Sequence, residues 1–179
     1  QWVVHVFSKD DVEELFQTFV KNAPENMLQA GISEFGSMEA FQRNYVEKAR
    51  KLYNQPENRE ILLESYGNKE KVLESAKNPM GEEGVRQLQQ ETDRAMKHLI
   101  QCKRGGLAPD TIEAKLGVCE YGAAMKKAFR LENERHVMLG IADTYRDYLQ
   151  GAEALDRQYE EDGIAEYMVE AIRTFYGYK

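Results

Sequence analysis

The amino-acid sequence predicts an all-α protein, and three observations carry that expectation. Apolar residues recur at helical spacing in nearly every segment, only 4 prolines and 13 glycines interrupt the 179 residues, and most of these fall between the periodic stretches. Apolar residues make up 42% and aromatics 10%, enough to bury a core, so wholesale disorder is excluded. Residues 2–7 alone could pass for a strand, and with no second strand in sight an unpaired tail is expected.

Taken in order, the first helix follows Ser8, which can accept from free N–H groups of the first turn while Asp10 and Asp11 favour its positive end. Val12, Leu15, Phe16, Phe19 and Val20 form its apolar stripe. Asn22 and Pro24 mark a second start, leading to a short helix with Met27, Leu28 and Ile32. Ser37 caps a third, with Met38, Phe41, Tyr45, Val46, Ala49, Leu52 and Tyr53 as its buried face. A short helix runs from Pro56 to Gly67, and another from Asn68 to the Asn78-Pro79 break. Phe35-Gly36-Ser37 and Tyr66-Gly67-Asn68 share one logic: glycine exits a helix in the left-handed region and the next residue caps its successor.

In the second half, Val85, Leu88, Thr92, Ala95, Met96, Leu99 and Ile100 mark a long helix that Gly105-Gly106 ends. Pro109 suits a first helical position, with Ile112, Leu116, Cys119, Ala123 and Phe129 as the stripe of that helix. A third long helix is expected over 132–149. The last shows Ile164, Tyr167, Met168, Ala171, Ile172, Phe175 and Tyr176 at i, i+3, i+4, i+7, i+8 spacing.

Composition excludes several roles. With 24 Lys+Arg against 31 Asp+Glu the chain carries −7, which argues against a stand-alone nucleic-acid binder. No apolar run reaches about 18 residues, so no membrane span is expected, and the start at Gln1 has no cationic n-region. A chain beginning with Gln is compatible with a fragment that lacks an upstream domain. Cys102 and Cys119, on consecutive helices joined at Gly105-Gly106, would be offset by roughly 12 Å along the axes, beyond disulfide reach. Reduced thiols and a cytoplasmic location are the expectation.

The dinucleotide, phosphate-loop, nucleophile-elbow and Cys-x-x-Cys motifs are all missing. A di-iron bundle needs Glu-x-x-His, but Asn133 precedes His136 and Ala95 precedes His98 at that spacing. No catalytic residue, metal or cofactor is therefore expected, and no enzyme. The acidic runs Glu82-Glu83 and Glu160-Glu161-Asp162 read as solvated helix starts.

Two readings of the remaining residues stay open. His136 is either a half-buried, hydrogen-bonded histidine or a polar contact in an apolar cavity. Gly140, costly inside a helix, suggests close approach of another helix or of a ligand. Tyr121, Phe129, Tyr145, Tyr148, Tyr159, Tyr167, Phe175 and Tyr176 crowd the C-terminal half. They serve either as core or as walls of a cavity for large heteroaromatic ligands, because a phenol joins a flat apolar face to a hydroxyl.

The segment from about Tyr66 to Tyr176 resembles the TipAS antibiotic-recognition domain, found at the C-terminus of MerR-type transcription activators and as free-standing drug-binding proteins. The matching pieces are Tyr66-Gly67-Asn68, the long helix from Val85 to Lys103, His136 three residues before Leu139-Gly140, and Gly163-Ile164-Ala165-Glu166-Tyr167-Met168-Val169-Glu170-Ala171-Ile172. The resemblance implies a globin-like helical array without haem, enclosing a deep ligand cavity. It implies contacts from helices near His136 and Tyr167, so Tyr121, Phe129, His136, Tyr145, Tyr148, Tyr167 and Met168 are the expected ligand-binding residues. Leu131 and Met138 stand where thiopeptide-binding members carry cysteines, so covalent capture there is not expected.

Residues 1–55 have no clear counterpart in the family and are expected as an N-terminal helical extension, either a lid or a partial second unit, with 56–179 as the ligand-binding domain. The expected function is non-enzymatic binding of bulky aromatic antibiotic-like compounds, for multidrug sensing or sequestration. DNA would be met only through a separate upstream domain, with a homodimer in that full-length context. The alternatives are a haem-binding globin-like protein using His98 or His136, and an interaction domain docking a partner on Val12, Leu15, Phe16 and Phe19.

Overall fold

The computed structural model describes residues 6–177, so residues 2–5 of the expected tail lie outside the described residues, and Val6 and Phe7 belong to no strand. Every regular element among the described residues is a helix. The ten are α1 (Lys9–Asn22), α2 (Glu25–Phe35), α3 (Met38–Asn54), α4 (Pro56–Tyr66), α5 (Lys69–Lys77), α6 (Glu82–Arg104), α7 (Ile112–Phe129), α8 (Arg135–Asp147), α9 (Leu149–Gln158) and α10 (Ile164–Tyr176). They form two compact units, residues 1–79 and 80–179.

In the first unit, local capping chemistry sets most boundaries. The Ser8 hydroxyl accepts from the Asp11 N–H while the Asp11 carboxylate accepts from the Ser8 N–H, a complete capping box. Ser37 and Asn68 accept from Ala40 and Lys71 in the same way. Gly36 and Gly67, just before them, have φ of 90° and 93°, the left-handed exit that L side chains resist. Asn22 does not open α2; its amide donates to the Thr18 carbonyl and closes α1.

α1 packs against α3 and α5. The segment leading into it is tied to α3 by Asn54, whose side chain donates to the Phe7 carbonyl and accepts from the Phe7 N–H, both at 2.9 Å. Lys69 reaches Asp11 at 3.1 Å, and Lys77 pairs with Glu14. Phe16 meets Phe41 edge to face at 5.4 Å. Val12, Leu15 and Phe16 are thus buried between helices. That corrects the reading of this stripe as an exposed docking surface, since α3 and α5 already cover it.

The second unit is built around α10, which packs against α6, α7, α8 and α9. Ile164, Met168, Ala171 and Ile172 are almost wholly inaccessible, because this stripe faces the other four helices. Asp156 of α9 caps α10 from outside the helix, its two carboxylate oxygens accepting from the Gly163 and Ala165 N–H groups at 2.9 Å each. At the other end the Tyr176 hydroxyl donates to Glu134 at 3.0 Å and Arg135 Nε donates to the Tyr176 carbonyl at 2.9 Å.

Four expectations are corrected here. α7 starts at Ile112 behind a Thr111 cap, with Pro109 in the preceding turn. Its buried face is Ala114, Gly117, Val118, Gly122 and Ala124, while Ile112 and Leu116 are exposed. Small residues win because α6 comes close: a Cβ on Gly117 would stand 2.9 Å from a Leu99 methyl. The helix expected over 132–149 is α8, which ends at Asp147 because Tyr148, with ψ of 88°, lies outside the helical region, and the separate helix α9 that follows was not expected. Glu161 is no freely solvated charge; it pairs with Lys103 at 3.0 Å and Arg104 at 2.6 Å.

The fourth concerns Gly140. A Cβ built there meets nothing within 4 Å, so no neighbouring helix requires the glycine. Gly140→Ala is accordingly expected to stabilise the protein by about 0.5–1 kcal/mol through helix propensity alone. Denaturant melts check it, and a loss of stability would show a contact at this face.

Candidate ligand-binding site

An open groove of about 810 Å³ runs over the second unit between the turn before α7, the α8–α9 junction and the outer face of α10. Its size falls within the range of ligand pockets, roughly 300–1,000 Å³. Pro109 lies at one wall, Tyr145, Leu149 and Ala152 at another, and Val169 in the floor. The rim carries both signs, with Asp110, Glu166 and Glu170 beside Arg146 and Arg173. Arg146 is held by Asp147 at 2.9 Å and Asp143 at 3.4 Å. On α10 the groove takes positions 166, 169, 170 and 173, an i, i+3, i+4, i+7 face flanking the core stripe.

Leu149 is 70% exposed and Tyr148 55%, an apolar pair left open at the α8–α9 break. The break itself creates the wall. Tyr148 turns the chain, its ring lies over Gly151, where a Cβ would come within 2.6 Å, and its hydroxyl donates to Gln150.

Next to Tyr145 is a phenol cluster around Asp93 of α6. The Tyr159 hydroxyl donates to the Asp93 carboxylate, Tyr121 lies within electrostatic range of both, and Tyr145 within that of Tyr121 and Tyr159. Burial, then Tyr145, then Asp93 push the Tyr121 phenol up to about 12. Tyr159 is raised too, first by burial and then by its bond to Asp93. These hydroxyls stay neutral donors at physiological pH.

Each phenol has a folded pKa above its unfolded value near 10, so the stability it supports is complete below about pH 10. It is lost as pH rises from about 10 toward about 12 for Tyr121. Urea melts across that window should show a fall that Tyr121→Phe makes shallower. An equal fall in both proteins contradicts the assignment.

The expected site residues are distributed unevenly. Tyr145 joins the groove and the cluster, Tyr121 belongs to the cluster, and Tyr148 adjoins Leu149 at the groove's edge. Tyr167 is buried with its hydroxyl donating to the Leu107 carbonyl at 2.9 Å, and Met168 lies fully inside the core. His136, second residue of α8, is half-buried, and Phe129 ends α7 partly exposed; neither lines the groove. Sequence reasoning missed Leu149, Val169 and Arg173 as lining residues of the groove and Asp93 as the partner of Tyr159. Period alone carries no signal for Asp93, which meets Tyr159 from 66 residues away.

Cys102 is buried and Cys119 half-buried, both as free thiols. Burial first, and nearby carboxylates second, push both thiols up, which disfavours the thiolate. His98 Nδ1 lies 3.0 Å from Glu120. Among the described residues no group of three or more His, Cys, Asp or Glu is placed to hold a metal ion, and no helix is long and apolar enough to cross a membrane.

Comparison with curated proteins gives no match, and comparison with solved structures gives none. A family model does match: that of the TipAS antibiotic-recognition domain, over residues 59–175, from the first turn of α4 to the last turn of α10. The match covers well over half of the chain and takes in the whole groove and the phenol cluster, so this protein belongs to the TipAS antibiotic-recognition domain family.

Proposed function

We propose that the chain binds bulky, largely aromatic antibiotic-like compounds without converting them, as the effector-sensing domain of a MerR-type regulator or as a drug-sequestering protein. The observation that carries this reading is the groove of about 810 Å³ bordered by Tyr145 and Leu149, inside the family-matched segment. Its apolar walls offer area to a large ring system, and its two-signed rim offers hydrogen bonds to polar substituents. Tyr145 connects the groove to the Asp93 cluster, so a ligand that moves this ring also perturbs α6 and α7. Tyr121, Tyr148, Phe129 and His136 are proposed as further contacts reached when α8 and α9 adjust, with Tyr167 and Met168 as the packed support beneath.

Non-covalent binding is part of the proposal. Leu131 stands at the turn before α8 and is buried, and both cysteines are held away from the thiolate form. The experiment is a fluorescence-quenching and thermal-shift panel of thiopeptides, albicidin-like compounds and other polyaromatic antibiotics. At least one should bind more tightly than about 100 μM and raise the melting temperature. A panel without such a binder contradicts the reading, and a mass increase on the intact protein contradicts its non-covalent part.

A further inference from the structure

The first unit has a pocket of its own, lined almost wholly by residues ahead of the family match. It has a volume of about 370 Å³ and opens between the end of α1, the start of α2 and one side of α3. Leu15, Phe19, Met27 and Pro79 supply apolar walls, and Tyr45 and Tyr53 stand two helical turns apart along α3. Phe19 and Tyr45 are nearly parallel, 15° between planes with centroids 5.9 Å apart, so their rings form a flat layer.

Two phenols, Tyr45 and Tyr53, line this pocket. Tyr148, Tyr159, Tyr167 and Tyr176 all spend their hydroxyls on protein acceptors. The hydroxyls of Tyr45 and Tyr53 hydrogen-bond to no other described residue, although both rings are half-buried. Burial raises both phenols above their ordinary value, and for Tyr53 the nearby Tyr45 and Tyr66 add to it, so each remains a neutral donor. An apolar slot with two such donors at fixed spacing is the composition of a small-ligand site.

We propose that this pocket binds a flat aromatic compound of one or two rings carrying a hydrogen-bonding oxygen. The ring lies against the apolar walls, and the oxygen accepts from Tyr45 or Tyr53. Its volume is less than half that of the groove in the second unit, which selects compact phenolic or quinone-like compounds over bulky antibiotics. The pocket is a second site of different ligand class, independent of the function proposed above.

The probes are 2-naphthol and naphthalene, titrated into the intact chain with methionine-methyl NMR to read Met27. Saturable 2-naphthol shifts at Met27 are expected, and Tyr45→Phe/Tyr53→Phe should weaken 2-naphthol about five- to tenfold while leaving naphthalene unchanged. Leu149→Glu, in the other unit, should change neither. No saturable shift at Met27 overturns the proposal, as does equal 2-naphthol affinity in the double variant or loss of binding in Leu149→Glu. If circular dichroism shows the double variant unfolded, the two single variants carry the same comparison, and unchanged 2-naphthol affinity in both overturns it.

Discussion

Leu99→Ala is expected to destabilise the protein by about 3 kcal/mol, within the range of roughly 2–5 kcal/mol measured for large-to-small core truncations. Leu99 is fully buried, and its methyl group occupies the space that the missing side chain of Gly117 leaves open on α7. Truncation removes the knob while α6 and α7 stay held apart by Met96, Ile100 and Val118, so the cavity cannot fully close. Chemical denaturation measures the loss. Gly117→Ala should destabilise for the converse reason, overfilling the same contact, and in the Leu99→Ala background the added methyl should cost much less. A cost of Gly117→Ala that is the same in both backgrounds would show that the two residues do not share one packing site.

Leu149→Glu is expected to lower affinity for the tightest antibiotic-like ligand about tenfold or more while leaving stability within about 0.5 kcal/mol of wild type. Leu149 is 70% exposed in the free protein, so the fold depends little on it, yet it forms a wall of the groove. A carboxylate there adds to Asp110, Glu166 and Glu170 on the rim and must be desolvated beneath an aromatic ligand. Calorimetric titration measures affinity and thermal unfolding measures stability. Unchanged affinity would place the ligand elsewhere.

What was legible in the sequence was whatever short-range chemistry decides. The caps at Ser8, Ser37 and Asn68, the glycine exits at Gly36 and Gly67, and the stripe of α10 are each set within about two turns of chain. Packing decided the rest. α7 turns Ala114, Gly117 and Val118 inward, and not Ile112 and Leu116, because α6 approaches closely enough to favour small residues over large ones. The α8–α9 break has no glycine or proline at Tyr148 to announce it, although it creates the wall that exposes Leu149.

The site followed the same division. Tyr121 and Tyr145 are readable as aromatic residues suited to a cavity, and the structure brings them together, with Tyr121 near Asp93. Tyr167 and Met168 carry the most distinctive part of the family resemblance, yet they face the interior. A motif holding a helix in its place and a motif touching a ligand look alike in a sequence, because both select apolar residues at helical spacing. Val169 and Arg173, on the adjoining face of the same helix, form the groove instead.

The groove bordered by Tyr145, Leu149 and Val169 is the place proposed to receive the antibiotic-like ligand. The most direct measurement is a methyl and amide chemical-shift map of the intact protein titrated with the tightest compound of the panel. Saturable shifts should concentrate at residues 108–110, at Tyr145 through Ala152, and along the 166–173 face of α10. Shifts confined to other surfaces, with these segments unmoved at saturation, would contradict it.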